Sequence, residues 1–307
     1  MKAPVRLYER VGRNNFKGFY DMGKMKRVAG YIAGVLVFFA FALSSPAGEK
    51  TIIAFCGSAS KPPMEESSRI FQKETGIKVE LNFSGSGTML AQLKLSKRGD
   101  IYLPASPAYM DIAIKDGIID PDTVKIVAYL VPVINVPRGN PKNIFTLADL
   151  ARPGLTVGIG NPVTVCVGLY AIEILERKGI LREVEKNIVT HAHSGSSTAA
   201  LVVMRKVDAI IGWRVFSNWN PDKIETVFLK HDEIPRLAYF PAGISRNSQN
   251  REESRQFIDF LTSPTGKKIF GKWDYIATEE EARQYAPNAV VGGDYTLPPG
   301  YNTLTGK

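Results

Sequence analysis

Cysteine and histidine, the residues most used for thiol and metal chemistry, are scarce in this sequence. Its 307 residues contain two cysteines, Cys56 and Cys166, and three histidines. Two cysteines so far apart are as compatible with two buried thiols as with one disulfide. His191 and His193 fall on one face of a predicted strand without a third ligand nearby, which is more typical of polar loop histidines than of a metal site. The sequence also lacks a G-x-G-x-x-G turn and a nucleophile elbow, so dinucleotide binding and hydrolysis have little support.

A broadly basic body is also missing, although the net charge is +9. Residues 1–47 contain eight Lys and Arg and two acidic residues, so they hold +6 of that charge and leave +3 for the rest. Proteins that bind nucleic acid usually carry a strongly basic domain. The charge distribution therefore argues against a nucleic-acid partner.

Residues 1–47 instead have the pattern of a secretory signal. A basic stretch, residues 24–27, precedes an apolar run over residues 31–43 and a small-residue exit that ends at Ala47. We expect cleavage near Ala47 and a periplasmic location. An uncleaved membrane anchor is the alternative, because the apolar run is near the lower limit for spanning a bilayer. No cysteine lies at the expected cut, so a lipoprotein acylation site is absent.

The remaining residues alternate between strand-like and helix-like patterns, which predicts a parallel sheet covered on both faces. The chain is long enough for two domains. The predicted strands cover 51–55, 77–83, 100–103, 127–136, 155–160, 208–213 and 236–244. The predicted helices cover 62–74, 87–96, a segment from Ser106, 146–150 (one turn), 167–178, 196–206, 251–261 and 264–272. Residues 274–307 show little periodicity and are interpreted as a loosely attached tail.

Two short Gly/Ser turns, each between a strand and a helix, carry the functional signal. The first is Gly57–Ser60 and the second is Ser84–Gly87. Such turns present free backbone N–H groups and small hydroxyls at helix N-termini, which can hold an anion without a formal positive charge.

These turns belong to an ordered set of segments that resembles the molybdate-binding proteins of ABC importers, within the periplasmic solute-binding proteins. The set is FCGSAS, NFSGSG, GDIYLPASPAYMD, AYLVPVINVPRGNP, GIGNP, VDAIIGW, RLAYFPAGIS and FIDFLTSPTGKKIF, over about residues 50–272. The resemblance implies an α/β, two-lobed, type II periplasmic-binding-protein fold, in which each lobe is a mostly parallel sheet flanked by helices. It implies one lobe over residues 48–128 plus 241–272, a second over 129–240, crossings near 128–133 and 237–241, and a C-terminal extension over 273–307.

The resemblance also implies a set of anion-binding positions in the interlobe cleft. The family's first serine falls on Ala59, so that Ser58, Ser60 or the Ala59 N–H must substitute for it; the family's tyrosine falls on Trp213, whose indole N–H can only donate. The implied ligand-binding residues are Ser58, Ala59, Ser60, Ser86, Val167, Ser197 and Trp213.

From this resemblance we expect a receptor, not an enzyme, that captures molybdate or tungstate and delivers it to an ABC permease. It needs no cofactor and no metal beyond the bound oxyanion, and we expect a monomer. A related branch uses a carboxylate before the aromatic residue; Gly212 stands there, which favours hydrogen bonding over direct metal coordination. Arg214 either reaches the anion or is a solvated surface charge, and the surface interpretation is favoured.

Several alternatives stay open at this point. The serines cap helices in many proteins, and Trp213 is also a plausible core residue. The same fold accepts sulfate, phosphate, thiosulfate or an iron chelate. An exported hydrolase with Cys56 or Cys166 as nucleophile beside His193 is the remaining hypothesis.

Overall fold

The computed structural model describes residues 50–301, and the predicted leader over residues 1–47 lies outside them. The helices within residues 50–301 are all too short or too polar to cross a lipid bilayer.

The described residues form eleven strands and ten α-helices in an alternating order. The strands are β1 Thr51–Gly57, β2 Lys78–Ser84, β3 Ile101–Leu103, β4 Lys125–Leu130, β5 Pro132–Pro137, β6 Val157–Gly160, β7 Ile188–Ala192, β8 Ala209–Trp213, β9 Ile224–Val227, β10 Arg236–Ile244 and β11 Val290–Val291. The helices are α1 Lys61–Thr75, α2 Ser86–Ser96, α3 Pro107–Lys115, α4 Cys166–Arg177, α5 Leu181–Glu185, α6 Gly195–Val203, α7 Val215–Trp219, α8 Arg251–Thr262, α9 Pro264–Lys272 and α10 Glu279–Arg283. Short 3₁₀ turns occupy Ser58–Ser60, Pro121–Thr123, Leu147–Ala151 and His231–Glu233.

The first sheet has the strand order β11-β10-β3-β1-β2, and β4 also pairs with β10. Strand β1 is parallel to β2, with Thr51 opposite Lys78, and it is parallel to β3. Strand β10 runs antiparallel to β3 and β4, and its register with β4 shifts between Phe240 and Pro241. Proline has no N–H to give to a ladder, which explains a shift at this position. We call this sheet and its helices α1, α2, α3, α8 and α9 the first lobe.

The second sheet has the strand order β7-β6-β8-β5-β9. Strand β6 is parallel to β7 and β8, whereas β5 is antiparallel to β8 and β9. We call this sheet and its helices α4, α5, α6 and α7 the second lobe. Two mixed sheets flanked by helices confirm the predicted two-lobed α/β fold.

The chain changes sheets at two places. It leaves the first sheet between Leu130 and Pro132, and it returns between Val227 and Arg236. The predicted single strand over 127–136 is therefore two strands that belong to different sheets. The pairing of strands does not define where each lobe begins and ends. The lobe limits of 48–128 plus 241–272 and of 129–240 therefore stay predictions.

Local sequence explains where the helices begin and end. Two prolines lie in the first turn of α1, where their missing N–H groups would have no partner in any case. Gly76 ends α1 with φ of 74°, a left-handed conformation that glycine adopts readily. Ser263 caps α9 by accepting a hydrogen bond from the Gly266 N–H.

Residues 274–301, which we call the C-terminal segment, pack on the body of the protein. Val290 and Val291 pair with Arg236 and Leu237 of β10. Ile276 forms a bridge with Tyr129 and is buried with Ala282 in the core on one face of the second sheet. The interpretation of this region as a loosely attached tail is wrong up to residue 301, because its few apolar residues pack against β10 and the second sheet.

Candidate functional site

The turn after β1 brings Ser58, Ala59 and Ser60 to the boundary between the lobes. All three are buried. The Ser60 hydroxyl donates to the Gly57 carbonyl oxygen at 2.9 Å, which is a turn-closing role. The Ser58 hydroxyl instead accepts a hydrogen bond from the Ser196 N–H at 3.0 Å. Ser58 therefore contacts the second lobe, whereas Ser60 stabilises its own turn.

Ser86 is the first residue of α2 and contacts both lobes. Its hydroxyl oxygen accepts from the Ala105 N–H at 3.1 Å and its O–H donates to Cys166 Sγ at 3.8 Å. Cys166 begins α4 in the second lobe. Ser86 and Cys166 together with Ser58 and Ser196 define what we call the interlobe seam.

The two thiols at and near the seam are neutral. Both cysteines are free and buried, so the disulfide alternative does not hold. Burial raises the pKa of the Cys166 thiol from 9.0 to about 12, against the smaller opposing effects of the Ser86 hydroxyl and the Val167 N–H. Burial likewise raises the pKa of Cys56. A thiol in this state is a poor nucleophile.

Val167 lies in the first turn of α4, where helix N–H groups have no acceptor within the helix. Its side chain is fully buried, and its N–H faces the Cys166 sulfur. The structure therefore brings the predicted Val167 amide to the seam, next to Ser86.

The start of α6 presents a different residue from the one expected. Ser197 takes part in a capping box with Ser194: its N–H donates to Ser194 Oγ at 3.1 Å, and its Oγ accepts from the Ser194 N–H at 2.9 Å. The N–H that reaches across the seam is that of Ser196. Sequence reasoning missed Ser196 as the donor, although identifying Ser194 as the N-cap would have found it.

Trp213 ends β8 and is fully buried. Its indole Nε1–H has no hydrogen-bond partner among the described residues. Its ring packs edge-on against Tyr170, with ring centroids 5.3 Å apart. A buried donor without a partner costs about 1–3 kcal/mol, so an acceptor at this position would be stabilised.

Glycines allow the lobes to approach closely at the seam. A Cβ on Gly85 would lie 2.6 Å from the Thr164 carbonyl oxygen, and one on Gly195 would lie 3.2 Å from the Ala59 Cβ. The Gly87 N–H donates to the Thr164 carbonyl oxygen at 3.0 Å. The Tyr109 hydroxyl donates to the Val163 carbonyl oxygen at 2.7 Å. The contacts of Thr164 and Tyr109 carry no sequence signal of their own.

Two arginines near Trp213, Arg214 and Arg236, are already paired with acidic side chains. Arg214 Nη2 pairs with Asp274 at 3.0 Å, and Nη1 donates to the Tyr285 hydroxyl at 3.1 Å. The interpretation of Arg214 as a solvated surface charge is wrong, because only 16% of its side chain is exposed. Arg236 pairs with Glu173 at 2.6 Å, and both are buried.

The histidines and the main cavity do not add to the predicted anion site. Among residues 50–301 no three His, Cys, Asp or Glu side chains are grouped as metal ligands. His191 Nε2 lies 3.2 Å from the Tyr301 hydroxyl. A cavity of about 410 Å³ at the rim of the seam is lined by the residues Ala108, Tyr109, Ile112, Pro162, Val163, Leu169, Asp294, Tyr295, Thr296 and Leu297. None of the seven predicted ligand-binding residues lines that cavity.

Known proteins resemble this chain at low sequence identity. The molybdate-binding protein ModA of Escherichia coli is 23% identical over 249 residues, which cover 79% of this chain and 95% of that protein. The periplasmic molybdate-binding protein of Azotobacter vinelandii superposes with a TM-score of 0.66 at 18% identity, covering 74% of this chain and all of that one (100%). The sulfate-binding protein SubI of Mycobacterium tuberculosis superposes with a TM-score of 0.68 at 16% identity, covering 79% and 94% of the two chains. At these identities the structural likeness shows the fold.

The family model of bacterial extracellular solute-binding proteins matches residues 52–275, which is more than half of the chain. The family and these relatives are binding proteins rather than enzymes, so the expectation of a non-enzyme is confirmed and the hydrolase hypothesis is not. The resemblance to periplasmic solute-binding proteins of ABC importers is confirmed as well. With its two lobes, its donor-lined seam and this match, the chain belongs to the bacterial extracellular solute-binding proteins.

Proposed function

We propose that this protein is an extracytoplasmic receptor that captures a tetrahedral oxyanion, molybdate or tungstate, and delivers it to an ABC permease. The observation that carries the proposal is the fully buried Trp213 Nε1–H, which has no partner among the described residues. It ends β8, in the same buried cluster as Cys166 and Val167 at the start of α4. An anion with acceptor atoms only would satisfy such a donor.

The proposed ligand contacts come from both lobes. The first lobe contributes the Ala59 N–H and the hydroxyls of Ser58 and Ser86; the second contributes the N–H groups of Val167 and Ser196 and the Trp213 indole. Ser60 and Ser197 support their turns and stay outside the proposed contact set. Because Ser58 accepts from the Ser196 N–H at 3.0 Å, ligand entry requires that this bond give way to the anion.

A site that offers only neutral hydrogen-bond donors prefers an anion that is fully deprotonated. Molybdate, tungstate and sulfate are fully deprotonated near neutral pH, so each of their oxygens accepts. A protonated phosphate would direct one O–H at a donor and lose a hydrogen bond, at a cost of about 1–3 kcal/mol. Sulfate is therefore the competing ligand, and pocket size must separate it from molybdate.

Calorimetric titration tests the proposal. Purified protein, freed of bound anion, is titrated with sodium molybdate, tungstate, sulfate and phosphate, and the metal content of untreated protein is measured by elemental analysis. We expect molybdate and tungstate to bind at a ratio of one per chain, with sulfate and phosphate at least tenfold weaker. Tighter binding of sulfate would reassign the ligand, and no binding of any oxyanion would overturn the proposal.

We further propose a periplasmic location after cleavage near Ala47, a monomeric receptor and no cofactor. The support is the leader pattern and the family, whose members act outside the cytoplasm. N-terminal sequencing of protein released from the periplasm should begin at Gly48. A retained leader in the membrane fraction would establish the anchored alternative.

A further inference from the structure

Trp213 is positioned by packed groups that run through Tyr170 to Arg236. Its indole meets the ring of Tyr170 edge-on, at an interplanar angle of 67°. Tyr170 lies on α4, about one turn after Val167, and is fully buried. Because protein interiors are closely packed, the indole cannot shift towards Tyr170 unless Tyr170 moves too.

Tyr170 is held in turn by Arg236. The Arg236 Cζ lies 4.4 Å from the centroid of the Tyr170 ring, within the range of a cation–π contact. Arg236 begins β10, and only 4% of its side chain is exposed. A planar guanidinium over a ring face restricts that ring more than a flexible ammonium group would.

Arg236 is itself fixed from two sides. Its Nε donates to Glu173 Oε2 at 2.6 Å, and its Nη1 donates to the Gly293 carbonyl oxygen. Gly293 belongs to the C-terminal segment, beyond the family match that ends at residue 275. Glu173 also pairs with Arg177, whose Nε lies 3.4 Å from Oε1 and whose side chain is 67% exposed.

We propose that Arg236 is a positioning residue that sets the size selectivity of the anion site by fixing Trp213 through Tyr170. The inference rests on the proposed function. A donor held at a fixed distance fits one anion radius best, and Mo–O bonds are longer than S–O bonds. A loosened indole would follow either anion, so discrimination falls even where the total number of hydrogen bonds is kept.

The test compares two Arg236 variants with one matched control. Arg236→Lys keeps the charge beside Glu173 but loses the planar contact with Tyr170. The double variant Arg236→Met with Glu173→Gln removes the buried pair as a whole, which avoids a lone buried carboxylate. Arg177→Met removes the other ion pair of Glu173 and leaves the Tyr170 contact intact.

Calorimetry with sodium molybdate and sodium sulfate gives the ratio of the two dissociation constants for each protein. We expect this ratio to fall about threefold or more in both Arg236 variants, as is usual for coupled neighbours, and to stay near the wild-type value in Arg177→Met. An unchanged ratio in either folded Arg236 variant, or an equal fall in Arg177→Met, overturns the inference. Wild-type protein that binds neither anion overturns the proposed function instead, so the two failures are distinguishable.

Discussion

At the scale of single residues, the Trp213 indole N–H offers the sharpest test of the site. We expect Trp213→Phe to weaken molybdate binding by tenfold or more, because one hydrogen bond to a buried anion is lost, at about 1.5–3 kcal/mol. The phenyl ring keeps part of the packing against Tyr170, and the cost of the cavity left in this fully buried place is offset by the removal of an unpaired buried donor. The melting temperature of the free protein should therefore change little. Calorimetry and thermal melting measure the two effects separately.

Trp273→Phe is the matched control for that variant. The Trp273 Nε1–H donates to Glu66 Oε2 of α1 at 2.7 Å. Its replacement removes an indole N–H whose partner is an acidic side chain of α1 and not a residue of the seam. Equal loss of affinity in the two variants would contradict the role given to Trp213.

Individual positions of the site were predictable only in part, for reasons visible at Ser86 and Ser197. Ser86 opens a helix directly after a strand, and this local pattern places its hydroxyl where the structure has it. Ser197 lies in a run of serines after His193, and its role depends on which serine becomes the N-cap. That choice is settled by the Ser194 capping box, so the neighbouring amide, Ser196, faces the first lobe.

At the scale of elements, the start of α2 controls how closely the lobes approach. Gly85 has φ −61° and ψ 146°, which an alanine accepts without strain. Its added Cβ would instead meet the Thr164 and His193 carbonyl oxygens of the second lobe at 2.6 and 2.9 Å. We expect Gly85→Ala to reduce molybdate affinity tenfold or more by hindering closure, while the fold is kept.

Small-angle scattering with and without molybdate measures that closure. Gly271→Ala is the control, because a Cβ there meets no atom within 4 Å. Wild-type affinity and compaction in Gly85→Ala would show that the described approach of the lobes is not required for binding.

The C-terminal segment makes a second element-scale prediction. A chain that stops after Pro287 loses β11, the Gly293 acceptor of Arg236 and the Tyr295 hydroxyl bond to Glu176. We expect its melting temperature to fall by several degrees, since a loss of 1 kcal/mol lowers it by about 2–4 °C in a protein of this size. A chain that stops after Tyr301 keeps these contacts and should melt at a higher temperature than the chain that stops after Pro287; equal melting of both truncations would contradict a structural role for the segment.

Long elements with clear periodicity and short buried strands such as β3 and β6 were predicted within a few residues, whereas β7 and β9 were missed. Helix α1 has apolar residues at helical spacing, and strand β1 is a continuous apolar run. Turn residues flank both elements, so their patterns identify them. Strands β7 and β9 have five and four residues. Their conformation depends on pairing with β6 and β5, and their partly exposed, mixed residues lack the continuous apolar pattern that identifies the similarly short, fully buried β3 and β6.

At the scale of the whole molecule, the two buried thiols make stability depend on alkaline pH. Burial raises the pKa of Cys166 from 9.0 to about 12 and also raises that of Cys56. The folded state therefore holds these protons more tightly than the unfolded state. The resulting stabilisation is complete below pH 9.0 and is lost as the pH rises towards 12.

Thermal melting between about pH 8 and pH 10 checks the sign, since the ordinary thiol pKa lies in this window and tyrosines contribute mainly above it. We expect the melting temperature to fall with pH in the wild type and to fall less steeply when Cys56 and Cys166 are both alanine. An equal slope in the two proteins would mean that the thiols do not contribute.

The contacts that join the lobes also determine how the receptor responds to its surroundings. The hydrogen bonds Ser196 to Ser58, Gly87 to Thr164 and Tyr109 to Val163 all connect uncharged groups, and the ion pair between Arg236 of β10 and Glu173 of α4 is buried. Mobile ions screen attractions between exposed charges, but they weaken buried ion pairs and dipolar contacts of this kind much less. A receptor built in this way would close as readily in dilute surroundings as in brine.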